Sequence, residues 1–508
     1  MRKITRAVLL ASSTIVVFTG LAHAAPGNAG FDDAVNTAWT FGADASILAS
    51  HARSPSNAVF SSCVGVGCLG SNANGVTGTA TLYQDLNLAP GIYRLIYNVR
   101  VDGTTTDYGV GASLGARAIL RSNFAATANT YQAFTDYSAV AGGITRLKFG
   151  LRHDNDNMHL DDVSLIMVDD GAGNNIGAVS LAVAAQNTYG FLDRLQNRFG
   201  HAGSPVQVAL NQETNIASSD GSGYISANGK YRAHMSGYGD RSKWDGGDVK
   251  SQRWGLNVGA EMAVAESLDV GFSVAAGHSR FSSLTTFTNN RGEADEYLGA
   301  LYAHWSPGSF PLYATAAVGY GYSSNDLTRT SVLGLGTVAA RDVETTQLLA
   351  SVELGYDWKL SNSFILTPYA RADGSRIDQD GYAEIQYTGA LLIPAIVAPV
   401  DQDAARTILG ARGTFDLNVG RRGAKLTANA GWAHEFERDR TVAFTETTGV
   451  VTFAGTATGA TPDASSVVAG ANVEAPITNE ARIFAGYNGN FASGQDSHAA
   501  ELGVRIVW

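Results

Sequence analysis

The feature that most constrains this chain is a two-residue alternation of apolar and polar side chains along its C-terminal half. In Gln-Leu-Leu-Ala-Ser-Val-Glu-Leu, residues 347–354, Leu348, Val352 and Leu354 share one side, and Gln347 and Glu353 lie on the other. The same period runs through 499–508 and ends at Trp508. A β-strand shows this pattern when lipid covers one face and water the other. On this pattern alone, Leu354 lies near the strand's midpoint, and Leu354→Arg is expected to cost about 2–4 kcal/mol. Glu353→Gln is expected to be nearly silent for insertion.

Loop lengths distinguish a membrane barrel from a water-soluble sandwich, because both can show such alternation. Twelve strands are predicted, at 228–238, 251–262, 267–280, 293–305, 311–322, 344–359, 363–377, 403–418, 424–438, 464–475, 480–489 and 498–508. Short turns alternate strictly with longer polar loops, which is typical of an up-and-down transmembrane barrel. Trp305, Trp358 and Trp508 fall on the short-turn side, as an interfacial girdle requires. Pro368 lies inside the seventh strand and predicts a bulge.

The N-terminus and the charge restrict the compartment and the partners. Residues 1–24 carry early basic residues, an apolar run and a small-residue cleavage site, which predicts a secretory signal peptide. No later apolar run is long enough for a membrane helix, so membrane residence requires a closed barrel. The net charge of −11, with no basic stripe, argues against nucleic acid as a partner. In an oxidising compartment, Cys63 and Cys68 are expected to form a disulfide.

A second pattern occupies residues 25–170, where strands are shorter and separated by turn signals. The predicted strands are Thr79–Leu86, Gly91–Val101, Val110–Leu120, Tyr131–Val140, Ile144–Leu151 and Met158–Met167. Short strands spaced by turns indicate a β-sandwich or jelly roll. The segments Leu88–Leu95, Phe134–Ser138 and Met158–Leu165 resemble the galactose-binding-like jelly rolls found in carbohydrate-binding modules. That resemblance implies a module that binds a glycan or an adhesion ligand.

Between the two patterns the period changes to three or four residues. Tyr189, Leu192, Leu195 and Phe199 are spaced for one face of a helix within 176–199. The linker 171–221 is therefore expected to contain a helix that threads the barrel at 222–508. The barrel interior is expected to carry charges compatible with such a helix, at Glu353, Arg371, Arg412, Asp416 and Glu435. The alternative is a surface helix against the N-terminal domain.

The order of signal, β-domain, helix and barrel resembles the type Va autotransporters. The motifs that carry the resemblance are Thr367–Asp373, Arg406–Gly410, Gly431–Phe436, Phe484–Asn490 and Glu501–Trp508. It implies an outer-membrane barrel, inserted by the barrel-assembly machinery, that carries an N-terminal passenger to the cell surface. Val504, Ile506 and Trp508 would form the insertion signal. The chain lacks the family's long β-helix, and Asn187 is the candidate position for the self-cleavage that some members undergo.

The passenger contains two candidate sites. Asp161, Asp162 and Asp32 offer oxygen ligands for a structural Ca²⁺, near further acidic and amide residues at 154–157; the alternative is a solvated turn. Gly-Ala-Ser-Leu-Gly at 111–115 fits a nucleophile elbow, but a β-like segment follows Ser113, and the histidines precede the acids. No catalytic residue is predicted. The passenger is expected to bind a glycan or adhesion ligand; a purely structural domain or a secreted hydrolase are the alternatives.

Overall fold

The computed structural model describes residues 38–42, 45–48, 58–61, 70–72, 75–77, 81–103, 108–115, 117–122, 124, 128–140, 142–153, 157–169, 172–197, 230–245, 248–307, 310–388, 392–417, 423–448 and 451–508. The chain divides into two compact units, Met1–Val168 and Asp169–Trp508. The predicted signal peptide lies outside the described residues.

Unit 1 is a β-sandwich of two five-stranded antiparallel sheets. The first has the order β1-β6-β11-β8-β9 and the second β10-β7-β12-β3-β2, and a small hairpin, β4-β5, is separate. The strands are β1 Thr40–Phe41, β2 Ala45–Leu48, β3 Ala58–Ser61, β4 Gly70–Asn72, β5 Gly75–Thr77, β6 Thr81–Leu88, β7 Gly91–Val101, β8 Tyr108–Leu114, β9 Arg117–Ser122, β10 Tyr131–Val140, β11 Gly143–His153 and β12 Met158–Asp169.

Alternate residues of the two sheets meet in one core. Phe149 of β11 contacts Tyr97 of β7 edge-on, with ring centroids 5.1 Å apart, and Tyr97 also stacks on Phe134. The prediction of a single strand over Val110–Leu120 was wrong. The chain turns at Gly115, whose φ of +61° is favourable mainly for glycine, so that Arg117 pairs back with Leu114. A β-like sequence does not show such a reversal when only one glycine marks it.

Unit 2 is a closed barrel of twelve antiparallel strands, and the prediction of fold class is confirmed. The barrel strands are β13 Tyr231–Trp244, β14 Val249–Ala265, β15 Leu268–Leu284, β16 Thr288–Trp305, β17 Leu312–Ser331, β18 Thr337–Tyr356, β20 Phe364–Gln379, β24 Val400–Leu417, β25 Ala424–Glu435, β28 Ser465–Pro476, β29 Ala481–Phe491 and β30 Gln495–Val507. Closure comes from the pairing of the first strand, β13, with the last, β30. Every backbone group in the wall can therefore bond to a neighbouring strand, as a bilayer demands.

The strands extend well beyond their predicted outer ends. The segment 323–343 was predicted as a loop, yet β17 and β18 continue through it to a turn at 332–336. The outer ends of these strands extend beyond the lipid, so polar residues occur on both of their faces. The alternation of apolar and polar residues that predicts a strand is therefore lost there. The short turns lie close to where they were predicted.

The long outer connections carry strands of their own. β21 Tyr382–Ala383, β23 Ala395–Val397, β26 Thr441–Thr448 and β27 Val451–Thr458 form a four-stranded sheet, which we call the outer sheet. β22 Ile385–Thr388 pairs with the outer end of β18. The short β19, Trp358–Ser361, lies at the opposite end and pairs with β20.

The lipid-facing side carries exposed aromatics at the predicted level. Trp305, Trp358 and Trp508 have 41–52% of their surface exposed at the short-turn ends of their strands. Pro368 does not produce a bulge with β24, because the register of β20 with β24 is unbroken there. On its other side, β20 pairs with β18 up to Tyr369 and with β19 from Leu366. The proline thus occupies a gap between two partner strands.

One helix, α1 Ile176–Gln196, follows a 3-10 turn at Ala172–Asn175, and 18 of its 21 residues are buried. In the described part of the chain, no helix is both long and apolar enough to cross a membrane. The burial of α1 comes instead from the barrel, with β15, β16, β17, β18 and β20 around it. The prediction that the helix threads the lumen is confirmed.

Candidate functional site: the helix in the barrel lumen

The helix is oriented by what its two ends contact. Asn175, at its start, accepts hydrogen bonds from Ser283 and Asn290, which lie beside the outer hairpin of β15 and β16. Gln196, at its end, donates to Ser351 at 2.9 Å, farther down the wall. The chain therefore enters the lumen at the outer end and descends toward the short-turn side.

One side of the helix is apolar and packs on the wall. Phe191 and Leu192 form a buried cluster with Tyr238, Leu298 and Leu349. Leu349 and its neighbours face inward, so the lumen wall is not uniformly polar. This contact removes apolar surface from water and fixes the helix laterally.

The middle of the helix is held by a polar network around Asn187. Its carbonyl oxygen accepts a hydrogen bond from Arg253 at 3.1 Å, and its amide donates to Ser279 and Glu296. Arg253 is paired with Glu296 at 3.0 Å, and both side chains are almost fully buried. A buried carboxylate with a paired guanidinium is stable only while both remain.

Two charged residues near the helix end form the next set of contacts. Asp193 accepts from Arg371 at 2.9 Å and from Arg406 at 2.6 Å, and both arginines also bind Asp373. Arg194 lies 3.8 Å above the ring of Tyr238 and 3.3 Å from Asp240. The helix thus contributes one charge of each sign to complementary groups on the wall.

A fourth set of contacts closes the outer end. Arg329 of β17, fully buried, donates to Asp169, Glu384 and Glu446 at 2.7–3.1 Å; we call these four residues the outer cluster. Asn174, just before the helix, donates to Glu446 at 3.0 Å. Burial raises the pKa of Glu446 to about 7, with the nearby Asp169 adding to the effect.

A small cavity lies beside the helix, among the described residues of the lumen. This cavity, of about 50 Å³, lies along the polar side of α1 and is lined by Asp193, Arg371, Arg406, Asn429 and Asn488 among others. That volume holds a few water molecules. The arrangement is suited to holding a segment of chain in a pore, and its charged groups are engaged with one another.

The predicted insertion signal lies at the seam of the barrel. Val504, Ile506 and Trp508 have 37–50% of their surface exposed and share the lipid-facing side of the last strand. Trp508 stacks on Tyr231 of the first strand, with ring centroids 6.1 Å apart, and the two residues exchange backbone hydrogen bonds. Reading by an assembly machinery stays a prediction.

The passenger sites are only partly described. Asp32, Cys63 and Cys68 lie outside the described residues. Asp161 is fully buried, and its carboxylate accepts from the backbone N–H of Asp162, whose φ is +49°. Within the described ranges, no group of three or more His, Cys, Asp or Glu residues could hold a metal, so calcium stays a prediction. Ser113 lies inside β8 and β9 follows it, so the strand-to-helix turn of a nucleophile elbow is not found there.

Sequence reasoning found some lumenal charges and missed others. Glu353, Arg371 and Arg412 were predicted inside, and Glu353 does pair with Arg412 at 3.2 Å. Arg253 was detectable, since it continues the polar side of β14. Arg329, Glu384 and Glu446 were not, because they fall in segments predicted as loops.

Comparisons with known proteins identify a family over the barrel. The family model for the autotransporter β-domain matches residues 233–488, about half of the chain. The translocator domain of the autotransporter NalP from Neisseria meningitidis is 16% identical, with a TM-score of 0.46, covering 66% of this chain and 99% of that one. The β-domain of the Bordetella autotransporter BrkA is 18% identical, with a TM-score of 0.41, covering 55% and 100%. A structure of TmCBM61 in complex with β-1,4-galactotriose is 13% identical, with a TM-score of 0.22, covering 28% and 95%. No curated protein sequence matches.

A twelve-stranded barrel with a helix in its lumen is the architecture of an outer-membrane translocator. The chain belongs to the autotransporter family, on the strength of the family match over the barrel. Its barrel lies in the outer membrane and translocates the N-terminal passenger, which is displayed on the cell surface. The translocator itself performs no bond-making chemistry.

Proposed function

We propose that the displayed passenger is a ligand-binding module for a glycan, and that it stays attached to the barrel through α1. A polar row on the outward face of the first sheet of unit 1 supports glycan binding. Tyr83, Asp85, Arg146 and Lys148 alternate with core residues on β6 and β11 and face away from the core.

The row combines an aromatic ring with charged groups. Lys148 lies directly opposite Tyr83 in the register, and the guanidinium of Arg146 lies 4.0 Å from the centre of the Tyr83 ring. Arg146 also binds Asp85 through two hydrogen bonds, of 2.7 and 2.8 Å. Burial, and then the nearby Arg146, lower the pKa of Lys148. A flat ring beside fixed donors and acceptors suits a sugar, whose hydroxyls and apolar ring face need both.

The contacts of α1 support a passenger that remains attached. Asn187, Asp193 and Arg194 are each bound to partners on the wall, and extracting the helix would break all of these contacts at once. Breaking a buried ion pair by removing one partner costs about 3–5 kcal/mol. Several such contacts along one helix favour a permanent anchor.

The test uses cells that display the full-length protein, applied to an array of neutral and acidic glycans. We expect retention on at least one glycan and a loss of roughly tenfold or more with Tyr83→Ala, the order of one aromatic contact. Tyr137→Ala is the matched control, since Tyr137 lies on the outward face of the other sheet, opposite Arg94. Retention on no glycan would favour the structural alternative, and equal loss with both variants would remove the assignment to this face.

A further inference from the structure

A buried charged cluster joins the outer sheet to the barrel wall and to the segment before the helix. Glu446 lies on β26 of that sheet, Glu384 follows β21, Arg329 is on the barrel wall, and Asp169 precedes the helix. The outer cluster therefore connects the outer sheet, the barrel strand β17 and the segment just before α1.

Each of the three nitrogens of Arg329 donates at least one hydrogen bond. Its Nε and Nη2 bind the two carboxylate oxygens of Glu384, Nη1 binds Asp169, and Nη2 also reaches Glu446 and the carbonyl oxygen of Ile393. Glu384 in turn accepts a hydrogen bond from the backbone N–H of Ala395 in β23. Removing any one carboxylate would leave the others attached to the same guanidinium.

Three carboxyl groups face one positive charge, so the cluster would have a net negative charge if all three were ionised. The Oε1 of Glu446 accepts from Arg329 and Asn174, whereas its Oε2 is buried without a hydrogen-bond partner among the described residues. A buried oxygen without a donor is costly when it bears charge and much less so when the carboxyl group is protonated. Glu446 is therefore the member best suited to hold a proton.

The residues that follow the outer sheet also contact the helix directly. Gly459, just after β27, approaches Ala178 so closely that an added Cβ would lie 2.5 Å from the Ala178 backbone. Ala460 joins a buried cluster with Ile176, Val179 and Val183. Movement of the outer sheet would uncover this first turn of the helix.

We propose that the outer sheet is an acid-stabilised latch over the outer end of the lumen, closed while Glu446 is protonated and released as that proton is lost. The latch concerns access to the helix, so it holds whatever ligand the passenger binds. The charged groups placed against Glu446 are Asp169 before the helix, Arg329 on β17 and Glu384 after β21.

The direction in which pH changes the opening of the latch follows from the raised pKa of Glu446. The pKa of Glu446 rises from 4.5 to about 7 in the closed form. Because the pKa is raised, the proton on Glu446 stabilises the closed form fully when the pH is below 4.5. That stabilisation is lost as the pH rises through about 7. With these two values, opening becomes about tenfold more favourable between pH 6 and pH 8.5.

The experiment measures access to Ala178 in the full-length protein in cell envelopes. Cys63 and Cys68 are replaced by serine, Ala178→Cys is introduced, and the rate of maleimide labelling is measured at pH 6 and pH 8.5. The exposed Leu333→Cys, in a separate chain, corrects for thiol ionisation. We expect the corrected rate to rise about tenfold in the otherwise unchanged protein and to stay flat when Glu446→Gln is added.

Glu293→Gln is the control, since that glutamate is exposed and pairs with Arg280 outside the cluster; it should retain the rise. Asp169→Asn should reduce the rise, and it serves as a second variant if Glu446→Gln does not fold, as judged by heat-modifiable migration. A flat rate in the unchanged protein, or an undiminished rise in both cluster variants, would overturn the latch.

Discussion

The lumen wall and the outward ends of the same strands both carry ion pairs, in opposite surroundings. Inside, Arg253–Glu296 and Arg412–Glu353 are almost completely buried. Outside, Arg280–Glu293 has more than half of each side chain exposed. The residue types are the same, and the separations differ little.

The difference lies in what surrounds each charge. A buried charge has lost its water and depends on its partner, whereas an exposed charge is rehydrated when the partner is removed. In this barrel, the dependent pairs are the ones that contact the helix or lie beside it. The lumen pairs therefore help to hold the helix, and the outward pairs stay hydrated above the lipid.

The largest effect is expected from breaking a lumen pair. Arg253→Met leaves Glu296 buried without its cation and removes the hydrogen bond to the Asn187 carbonyl. We expect a loss of about 3–5 kcal/mol in the free energy of unfolding, measured by urea unfolding of the full-length protein in detergent micelles.

Arg280→Met is the matched control on the outward side, and its cost should stay below about 1 kcal/mol. If the two variants lost similar amounts, burial would not be what distinguishes the two sets of pairs.

A second test concerns depth in the lipid. Leu354 pairs with Ala314, which also pairs with Trp305, so Leu354 lies at the level of the lower aromatic girdle. Leu348 lies six residues farther toward the outer end. Leu348→Arg should therefore cost about 2–4 kcal/mol and Leu354→Arg about 1 kcal/mol or less.

The same unfolding measurement checks the pair of leucine variants. Equal costs would contradict the assigned depth. The alternation of side chains predicted the lipid face correctly, but it could not show where along the strand the lipid begins.

A third test replaces a charge in the lumen without changing its size. The sequence pattern alone predicts that Glu353→Gln is nearly silent. In the structure, Glu353 accepts hydrogen bonds from Tyr313 at 2.7 Å and from Arg412 at 3.2 Å, so the amide would leave a buried guanidinium without its anion. We now expect a loss of about 1–3 kcal/mol in micelles; a change below the error of the measurement would restore the simpler view.

How far the sequence predicts this molecule depends on which solvent surrounds each segment. Where lipid faced one side and the lumen the other, the two-residue period located all twelve strands and placed Glu353 and Arg412 inside. Where the wall extends beyond the lipid, as at 323–343, polar residues such as Asn325 and Arg329 face inward and others face water, so the period disappears although the strands continue.

The outer cluster shows the same limit for a site. Arg329, Glu384 and Glu446 are 55 and 62 positions apart along the chain, and only the folded outer sheet brings them together. Each residue alone resembles an ordinary loop charge. In the passenger, a single glycine, Gly115, reverses a strand that composition reads as continuous.

The smallest expected effect comes from an ion pair on the passenger surface. Hydrogen bonding to Arg146 lowers the pKa of Asp85, and both side chains are 42–50% exposed. Because the pKa of Asp85 is lowered, the ion pair stabilises the passenger when the pH is above the ordinary pKa of an aspartate. The stabilisation is lost as the pH falls through the lowered pKa. Asp85→Asn should cost less than about 1 kcal/mol at pH 7, despite two short hydrogen bonds. Proteolysis of displayed passenger on intact cells at rising urea measures this; a loss as large as that of Arg253→Met would mean that geometry, rather than burial, determines what an ion pair contributes.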